Sequence, residues 1–482
     1  MKAVPFIGRK KELAKLNDLL SKKIASLVVV KGRRRIGKSR LIEEFVKEKN
    51  CYVFSGIPPV AETTLQSQLD EFSRQLSEQT GLPEITVNDW SKIFYLLADK
   101  AKQGRIIILF DEISWMGSMD PSFLGKLKNA WDLSFKKNPE LILILCGSVS
   151  YWIETNIINS TGFLGRISLK ITLEELRLSE CNELLNHVGF NRSIHEKFEL
   201  LSVVGGIPHY IELINPKYSA VENIKQLCFE KDGILTDEFR FIFHDLFGRR
   251  GSIYQNIVEC LAQGSAEYAD IASLLNYTSS GTLSQYLQEL IISGFISRDY
   301  TWSLKTGKES SRLSKFRLSD NYVRFYLKYI APELNQIKKG QFASFSLVSK
   351  SNYNTIMGLQ FENLVLNNRA TIIHLLGLKP EEVLSDNPFF QHNTTKQKGC
   401  QVDYLIQTRY NTLFACEIKF HKKEIDTSVI ASVKEKLSKL VIPRGFSCLP
   451  ILIHANGISD EVAESDYFFK TIDFGQLLTS EI

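Results

Sequence analysis

One eight-residue segment constrains this chain more than any other, and it reads Gly32-Arg33-Arg34-Arg35-Ile36-Gly37-Lys38-Ser39. It fits the pattern G-x-x-x-x-G-K-[ST] at every fixed position. The β-branched apolar run at 25–30 predicts a buried strand before it, and the helical spacing of apolar residues at 40–46 predicts a helix after it. A phosphate-binding loop needs this context. The alternative, a chance match in an ordinary glycine turn, does not explain both flanks.

The loop offers several kinds of phosphate contact. Gly32 and Gly37 allow a tight turn that aims backbone N–H groups at phosphate oxygens. Lys38 is expected to reach the β- and γ-phosphates, and the Ser39 hydroxyl is expected to bind Mg²⁺. The predicted cofactors are therefore ATP and Mg²⁺. The arginines of the loop either add positive field at the nucleotide or point into solvent. The predicted nucleotide-binding residues are Gly32, Arg33, Arg34, Arg35, Ile36, Gly37, Lys38, Ser39 and Arg40.

Two further apolar strands are predicted downstream, and polar residues follow each of them. Asp111 is expected to hold Mg²⁺ with Ser39, and Glu112 to polarise the water that attacks the γ-phosphate. Ser148 is either a γ-phosphate sensor or a plain turn serine. Arg166 is either a charge that completes the γ-phosphate site, in cis or from a neighbouring subunit, or a surface arginine. Alternating strands and helices predict a parallel sheet with its ligands at the carboxyl ends of the strands.

Composition narrows the class of protein only moderately. A chain of 482 residues with 44% hydrophobic and 23% charged residues is expected to fold as two to four globular domains. The net charge of +5 permits nucleic-acid binding without requiring it. The eight cysteines are scattered and contain no C-x-x-C pair, which predicts neither a zinc site nor disulfides. We therefore expect a cytoplasmic protein, and no apolar run predicts a membrane span.

Six elements, in order along the first half of the chain, resemble the prokaryotic archaeal-type ATPase family of the AAA+/STAND group. They are Phe6-Ile7-Gly8-Arg9, the phosphate loop, Phe110-Asp111-Glu112, Cys146-Gly147-Ser148, Gly165-Arg166 and Gly205-Gly206-Ile207-Pro208. The resemblance implies a Mg²⁺-dependent ATPase and leaves a homo-oligomer open. It also implies that Pro208 lies close to bound nucleotide and relays its state to a helical lid. From the residues alone, Pro208 marks only a joint between two helices.

The region that follows the predicted lid is typical of a winged helix, because three short helices precede two strands joined by a turn. If this domain binds DNA, the third helix faces the groove and the hairpin contacts phosphate. The residues expected at the DNA are Thr282, Ser284, Gln285, Gln288, Lys305 and Lys308. Because the third helix is poor in Lys and Arg, a protein–protein spacer is an equal alternative.

Near the C-terminus, Asp403 lies on one predicted strand, and Glu417 and Lys419 share one face of the next strand. With a helical Glu362 upstream, this pattern resembles the PD-(D/E)xK nuclease fold, and the chain resembles the family in which such a domain follows the ATPase and the winged helix. The resemblance implies that Asp403 and Glu417 hold Mg²⁺ and that Glu362 completes the shell. It also implies that Lys419 orients or activates water at the scissile phosphate.

The pattern departs from that fold at one position, because the proline before the acid is absent from Gln401-Val402-Asp403. On the residues alone, the same charges are also typical of the solvated face of an ordinary hairpin. Further lysines either suit a phosphodiester backbone or form a solvated face. They are Lys422, Lys423, Lys434, Lys436 and Lys439.

We therefore expect an α/β multidomain protein with a P-loop parallel sheet, a helical lid, a winged helix and a C-terminal α/β restriction-endonuclease-like domain. The expected boundaries are 1–170 for the P-loop ATPase domain, 171–248 for the lid, 249–319 for the winged helix and 320–482 for the nuclease-like domain. The predicted function is ATP hydrolysis coupled to a DNA-facing, nuclease-like half. The alternatives are a non-cutting ATP-driven switch and a DNA-binding regulator. The predicted partners are ATP and DNA, without a membrane.

Overall fold

The computed structural model of the protein describes residues 5–60, 62–148, 151–247, 250–277, 280–341, 352–395 and 397–480. The chain folds into two compact units, Met1–Glu174 and Glu175–Ile482. The sequence-based division of the second unit into lid, winged helix and nuclease-like domain stays a prediction. Within the described ranges, no helix has the length and apolar character that crossing a membrane requires.

The first unit is built around a parallel sheet. Its strands are β1 (Ser26–Gly32), β2 (Cys51–Ser55), β3 (Ile107–Asp111), β4 (Ile142–Ser148) and β5 (Ile167–Leu173). The five strands lie in the order β2-β3-β4-β1-β5, and every neighbouring pair is parallel. This confirms the predicted parallel sheet, and it places the carboxyl ends of β1, β3 and β4 side by side at one edge.

Helices cover the sheet and bury an aromatic core. They are α1 (Lys10–Asp18), α2 (Lys38–Val46), α3 (Leu65–Thr80), α4 (Trp90–Lys100), α5 (Ile113–Met116), α6 (Phe123–Leu133) and α7 (Tyr151–Ile153), with short 3₁₀ turns at Leu19–Ser21 and Phe135–Lys137 and a π-turn at Glu154–Ile158. The ring of Phe72 on α3 stacks on Phe54 of β2 with centroids 4.2 Å apart, and it meets Phe110 of β3 edge-on at 5.6 Å. Burying each such side chain contributes about 2 kcal/mol, so this core fixes the strands whose ends carry the site.

The second unit contains fifteen described helices and two sheets. The helices are α8 (Leu178–His187), α9 (Ile194–Val204), α10 (Pro208–Glu212), α11 (Ala220–Cys228), α12 (Ile234–Phe247), α13 (Gly251–Leu261), α14 (Tyr268–Leu274), α15 (Ser280–Ile292), α16 (Asn321–Phe325), α17 (Leu334–Lys338), α18 (Tyr353–Leu366), α19 (Arg369–Leu375), α20 (Ser428–Lys439), α21 (Asp460–Ala463) and α22 (Phe474–Thr479). Shorter turns lie at Tyr326–Ile330, Ala331–Glu333 and Pro380–Glu382.

One sheet of this unit is small and the other is mixed. The strands are β6 (Ala266–Glu267), β7 (Ile296–Trp302), β8 (Glu309–Leu318), β9 (Val383–Gln391), β10 (Cys400–Thr408), β11 (Thr412–Lys419), β12 (Ser447–His454) and β13 (Lys470–Asp473). The first three form an antiparallel sheet in the order β6-β8-β7. The others lie in the order β13-β12-β11-β10-β9, with β9, β10 and β11 antiparallel and β11, β12 and β13 parallel.

The β7–β8 hairpin packs against the mixed sheet. Trp302 is 4% exposed, and its indole Nε1 donates to Oε1 of Gln407 on β10 at 2.6 Å. The Thr301 hydroxyl donates to the Phe390 carbonyl of β9 at 2.9 Å, and Leu304 is buried in the same core. The hairpin predicted to be the wing is therefore anchored to the C-terminal sheet along β7.

Helix α9 also contacts the C-terminal part of this unit. The ring of Phe198 stacks on Phe420 with centroids 5.1 Å apart and meets Phe361 edge-on at 5.6 Å. The buried amide of Gln360 on α18 donates to the Ser202 carbonyl at 2.7 Å. These contacts explain why the predicted lid and the predicted nuclease-like domain belong to one compact unit.

Candidate nucleotide site and carboxylate–lysine cluster

The phosphate loop connects β1 to α2, and glycine is required at two of its positions. A Cβ atom at Gly32 would lie 2.8 Å from Ile36 Cγ2 and 3.0 Å from the Leu173 carbonyl oxygen, so no side chain fits there. Gly37 has a φ of 91°, in the left-handed region that favours glycine. It is also the N-cap residue of α2 and makes no side-chain cap, which leaves the first helix amides open to an anion.

Lys38 is buried at the start of α2. Its Nζ donates to the carbonyl oxygens of Gly32 and Arg33, each at 3.1 Å. Both carbonyl oxygens belong to neutral peptide groups, so the contacts orient the ammonium and leave its positive charge to act on an anion. The predicted contact of Lys38 with the β- and γ-phosphates stays a prediction.

The other loop residues differ in exposure. Arg33 and Ile36 are buried, Arg35 is half-buried with a φ of 65°, and Arg34 and Arg40 are exposed. Arg34 lies close enough to Glu112 to lower the pKa of that carboxyl. The two alternatives for the loop arginines, a positive field at the nucleotide and a position in solvent, stay predictions.

Ser39 and Asp111 meet beside the loop. The Ser39 hydroxyl donates to Oδ2 of Asp111 at 3.5 Å, a long contact that joins the start of α2 to the end of β3. A hydroxyl and a carboxylate oxygen are hard donors of the kind that Mg²⁺ prefers. The donor set therefore fits the predicted magnesium ion in its chemistry.

Glu112 follows β3 in an unusual backbone conformation, with a φ of 48°. Its carboxylate accepts the backbone N–H of Ser148, while Oε2 is buried and has no hydrogen-bond partner within the described part of the chain. Burial raises the pKa of Glu112, the ammonium of Lys38 opposes this, and the carboxylate of Asp111 adds to it. A buried carboxylate oxygen without a partner is suited to accept a hydrogen bond from a water molecule.

Arg166 contacts a carboxylate that the sequence analysis did not assign. Its Nε and Nη2 donate to the two oxygens of Asp132 on α6, at 3.1 and 2.8 Å. The guanidinium of Arg166 holds the pKa of Asp132 well below its usual range, and the ammonium groups of Lys128 and Lys136 add to this effect. Burial acts in the opposite direction and is outweighed. The structure thus shows Arg166 in an ion pair, and its action on a γ-phosphate stays a prediction.

Arg9 is a site residue for which the sequence analysis gave no chemical role. It is buried with a φ of 56°, and its Nη2 donates to the carbonyl oxygens of Ile36 and Glu174, at 3.3 and 2.5 Å. Arg9 therefore ties the phosphate loop to the chain after β5. In the sequence, the only hint of this contact is the Gly8-Arg9 pair. The pair lies far from the loop along the chain, so it does not indicate that Arg9 and the loop are close in space.

Pro208 lies in the second unit, as the first residue of α10. The Gly206 N–H donates to Oε2 of Glu175 at 3.1 Å, and the Gly206 carbonyl accepts from the Leu176 N–H at 2.8 Å. Proline is well suited to the first turn of a helix, where its missing N–H is not needed. The predicted joint between helices is present, and the predicted role of Pro208 toward nucleotide stays untested.

Four charged side chains meet between β10, β11 and α20, and we call them the carboxylate–lysine cluster: Asp403, Glu417, Lys419 and Lys436. Backbone pairing of β10 with β11 runs from Tyr404 to Gln407, and just beyond it the Ile418 N–H donates to Oδ2 of Asp403 at 2.9 Å. The Asp403 side chain thus replaces a backbone acceptor. This holds its carboxylate on the next strand, where Glu417 is only 2% exposed.

Two ammonium groups neutralise the two carboxylates of the cluster. Lys436 Nζ lies 3.3 Å from Oδ1 of Asp403 and contacts Oε2 of Glu417. Lys419 Nζ lies 2.8 Å from Oε1 of Glu417, as an ion pair without hydrogen-bond alignment. From its sequence, Lys436 was expected only on a general basic surface, but its Nζ lies between Asp403 and Glu417, the two predicted metal ligands.

The pKa values around the cluster follow from burial and charge. Burial and the Glu417 carboxylate raise the pKa of Asp403, and Lys436 and Lys419 oppose them. Burial alone would lower the pKa of Lys436, but the carboxylates of Asp403 and Glu417 outweigh it and the net shift is upward. Burial and Asp403 raise the pKa of Glu362 to about 7.

The predicted role of Glu362 as a third metal ligand stays a prediction. Across the described residues, no group of three or more His, Cys, Asp or Glu side chains is placed to hold a metal ion. Besides burial, the nearby Asp403 carboxylate raises the pKa of Glu362, and Arg317 and Arg324 act in the opposite direction. Lys436 contacts both Asp403 and Glu417. The oxygens of these two carboxylates fit Mg²⁺ in type but are neutralised by lysines.

A cavity of about 380 Å³ opens beside the cluster. Its lining residues are Gly399, Cys400, Gln401, Asp403, Ser432, Glu435, Lys436 and Lys439. Elsewhere in the unit, the residues predicted to face DNA are exposed on α15 and at the tip of the β7–β8 hairpin. They are Thr282, Ser284, Gln285, Gln288, Lys305 and Lys308.

Residues 6–214 match the family described as an ATPase domain predominantly from Archaea. This region is an archaeal-type ATPase domain. The match confirms the resemblance of the first half of the chain to that family. The uncharacterized protein MJECL04 of Methanocaldococcus jannaschii is 27% identical over 364 residues, which cover 74% of this chain and 76% of that protein. The uncharacterized ATP-binding protein MJ0423 of the same organism is 41% identical over 46 residues, 10% of this chain and 78% of that protein.

Among solved structures, the chain is similar to the Walker-type ATPase PABY2304 of Pyrococcus abyssi. The TM-score is 0.48 and the identity 18%, over 67% of this chain and 96% of that one. A nucleotide-bound ORC2 protein of Aeropyrum pernix, in its ADPNP–ADP complexes, matches with a TM-score of 0.41 and 16% identity, over 71% of this chain and 97% of that one.

Within the ATPase domain, the structure brings together Lys38, Ser39, Asp111, Glu112 and Ser148 at the carboxyl ends of β1, β3 and β4. Ser148 contacts Glu112 through its backbone N–H, whereas the prediction concerned its side chain. The site can attract an anion and offer a carboxylate oxygen to a water molecule.

Proposed function

We propose that the ATPase domain binds ATP with Mg²⁺ and hydrolyses it at the edge where β1, β3 and β4 end. The observation that carries this proposal is Glu112 Oε2, a buried oxygen without a partner among the described residues, next to the ammonium of Lys38. Lys38 and the loop amides bind the phosphates, and Ser39 and Asp111 would hold Mg²⁺, which neutralises phosphate charge when bound. Glu112 orients the attacking water and accepts its proton.

The test is a comparison of ATP binding and phosphate release in the native chain and in Glu112→Gln. The variant keeps the shape of the side chain and removes the base, so we expect ATP binding to persist while hydrolysis falls by at least about 100-fold. Glu43→Gln is the matched control, because Glu43 is an exposed glutamate on α2. Hydrolysis at the native rate in Glu112→Gln would remove the proposal.

The remaining nucleotide-site residues extend the same proposal. Ser148 senses the γ-phosphate, and Arg166 supplies charge to it in cis or from a neighbouring copy in a homo-oligomer. Pro208 transmits the nucleotide state to the helices that follow. In this AAA+/STAND-like arrangement the ATPase domain includes all of β5, so its end lies a few residues after the expected residue 170. The lid keeps its expected end at residue 248.

A second function is proposed for the C-terminal half, namely Mg²⁺-dependent cleavage of nucleic acid. Its support is the convergence of Asp403, Glu417 and Lys419 on neighbouring strands beside an open cavity. Lys419 orients water at the scissile phosphate, and the winged helix at 249–319 presents DNA to the domain at 320–482. The exposed face of α15 supports this role for the winged helix.

The second function is tested by an assay for nucleic-acid cutting. The protein is incubated with plasmid, linear DNA or RNA, with Mg²⁺ or Mn²⁺, and with or without ATP. Cutting that is lost in Lys419→Ala and kept in Lys439→Ala supports it, because both lysines lie near the cluster and only Lys419 contacts Glu417. Loss of cutting in Lys38→Ala would show ATP gating. An intact ATPase that never cuts would favour a non-cutting switch or a DNA-binding regulator.

The cellular location is part of the proposal. All eight cysteines are free thiols, and five of them are buried. Free thiols persist in a reducing compartment, which supports a cytoplasmic protein.

A further inference from the structure

The carboxylate–lysine cluster contains a cation of its own. We propose that Lys436 competes with a divalent metal ion for Asp403 and Glu417, so that the cluster admits the metal only when the Lys436 ammonium leaves. This inference rests on the proposed metal-dependent function of the C-terminal half. It gives Lys436 a role in that function and states the condition under which the metal ion binds, namely that the Lys436 ammonium has moved away.

The geometry of the oxygens supports the competition. Asp403 Oδ2 is held by the Ile418 N–H at 2.9 Å, and Glu417 Oε1 is paired with Lys419 at 2.8 Å. The two remaining oxygens, Asp403 Oδ1 and Glu417 Oε2, share Lys436 Nζ as their partner. A metal ion that bound these two oxygens would lie between them, where Nζ now lies. Its bonds to oxygen, at about 2.0–2.1 Å, are shorter than the 3.3 Å from Nζ to Asp403 Oδ1, so no room for the ammonium would remain there.

The charges lead to the same conclusion. Two carboxylates face two ammonium groups, so the cluster is electrically balanced without a metal. A divalent ion brought next to Lys436 would add two positive charges and meet a like charge at close range, in a place where Glu417 is 2% exposed. Repulsion between like charges is strong where water is excluded, so both cations cannot stay.

Lys436 has room to leave. Its side chain is 23% exposed, and it lines the cavity of about 380 Å³ beside Asp403. Lysine carries its charge on a flexible four-carbon stem, so the ammonium can move into this space without a change in the helix. Lys439 lines the same cavity on the same helix but pairs with Glu435 at 2.7 Å, which makes it a natural control.

The test is the affinity of the nucleotide-free full chain for Mn²⁺, measured by calorimetry. Lys436→Gln removes the internal cation, and we expect Mn²⁺ to bind at least about tenfold more tightly. Lys436→Arg keeps the charge, and Lys439→Gln leaves the cluster alone, so neither should tighten binding. Adding Glu417→Gln to Lys436→Gln should cancel the gain, which assigns it to this cluster rather than to Ser39 and Asp111.

Unchanged or weaker Mn²⁺ binding in Lys436→Gln would overturn the inference, and so would a gain that survives Glu417→Gln. If Lys436→Gln does not fold, the native chain gives the answer through lysine acetylation read by mass spectrometry. Mn²⁺ should then increase the labelling of Lys436 and leave Lys439 unchanged. Constant labelling of Lys436 at saturating Mn²⁺ would overturn the inference as well.

Failure of the proposed cleavage is distinguishable from failure of this inference. If Lys436→Gln binds Mn²⁺ more tightly and no variant cuts nucleic acid, the competition stands and the cleavage falls. If the native chain cuts nucleic acid and Lys436→Gln shows no gain in Mn²⁺ affinity, the cleavage stands and the competition falls.

Discussion

Lys38 of the ATPase domain and Lys436 of the carboxylate–lysine cluster both sit at a helix and donate hydrogen bonds, but their acceptors differ. Lys38 donates to two backbone carbonyls, whereas Lys436 donates to two carboxylates. An ammonium held by neutral groups leaves a positive site that attracts phosphate. An ammonium held by carboxylates is neutralised, and it blocks the oxygens that a metal would need.

The glutamates of the two sites differ in the same way. Glu112 Oε2 is buried without a hydrogen-bond partner among the described residues. Glu417 Oε1 also accepts no aligned hydrogen bond, but it forms an ion pair with Lys419, and Lys436 contacts Oε2. The first is ready to accept a hydrogen bond, and the second must lose a partner first. The comparison teaches that the partners that hold a charged side chain, more than the residue type, decide whether a site is open to a ligand.

The largest effect is expected at the open site. Lys38→Ala removes the charge that faces the phosphates, so ATP hydrolysis should fall by about 10³-fold and ATP binding should weaken. Phosphate release and equilibrium binding measure the two effects. Lys47→Ala is the control, because Lys47 is exposed at the other end of α2. ATP hydrolysis at the native rate in Lys38→Ala would contradict the claim that an ammonium held by carbonyl groups acts on the phosphates.

The next effect concerns Arg166, a cation that is held by a carboxylate but is proposed to act on nucleotide. Arg166→Ala should slow hydrolysis by at least about 100-fold if the guanidinium reaches the γ-phosphate. Lys136→Ala, which removes another contact of Asp132, should leave the rate unchanged. If both variants hydrolyse ATP at the native rate, Arg166 serves only to pair with Asp132, and among these cations only Lys38, which is held by carbonyl groups, acts on the nucleotide.

Stability should also separate the two lysines. Lys436→Met leaves two carboxylates close together, and the free energy of unfolding of the second unit should fall by about 2–3 kcal/mol. Lys38→Met leaves only carbonyls, and its cost should be about 1 kcal/mol. Chemical denaturation measures both. Adding Glu417→Gln to Lys436→Met should recover part of the loss. Equal costs for the two lysines would contradict the difference in their surroundings.

The smallest effect is a pH dependence at Glu362, whose pKa of about 7 lies above that of an unfolded glutamate. The folded chain keeps the proton that the unfolded chain loses, so stability is lost as the pH rises from about 4.5 to 7. Glu362→Gln does not titrate, and its advantage over the native chain should grow by about 1–2 kcal/mol between pH 6 and pH 8. Unfolding curves at these two pH values measure this. Glu381→Gln, at an exposed position, should show no such change.

Much of the ATPase fold was predictable because buried strands leave a strong signal. The apolar runs at 25–30, 105–110 and 141–145 correspond to β1, β3 and β4, which lie inside the sheet. The edge strands β2 and β5 were missed. In β2 only Phe54 is buried, and β5 has an exposed residue at every second position. An edge strand buries less surface and therefore leaves a weaker pattern.

The candidate sites were predictable where neighbouring residues in the sequence determine them, and not where residues far apart in the sequence meet. Ser39 and Glu112 were predicted because the loop motif and a strand end fix their places in the sequence. Asp132 lies 34 residues from Arg166, and Lys436 lies 33 residues from Asp403, so only the fold brings these partners together. Their residue types gave no signal of the contact, because charged residues on a helix are typical of a solvated surface.

The β7–β8 hairpin has a consequence for the way the chain is made. The partners of Thr301 and Trp302 on β9 and β10 follow 89 and 105 residues later. A ribosome that adds roughly 5–20 residues per second needs about 5–20 s to make that stretch. Trp302 and Leu304 have no cover from the mixed sheet during this time. These apolar side chains therefore stay exposed on the growing chain until β9 and β10 emerge.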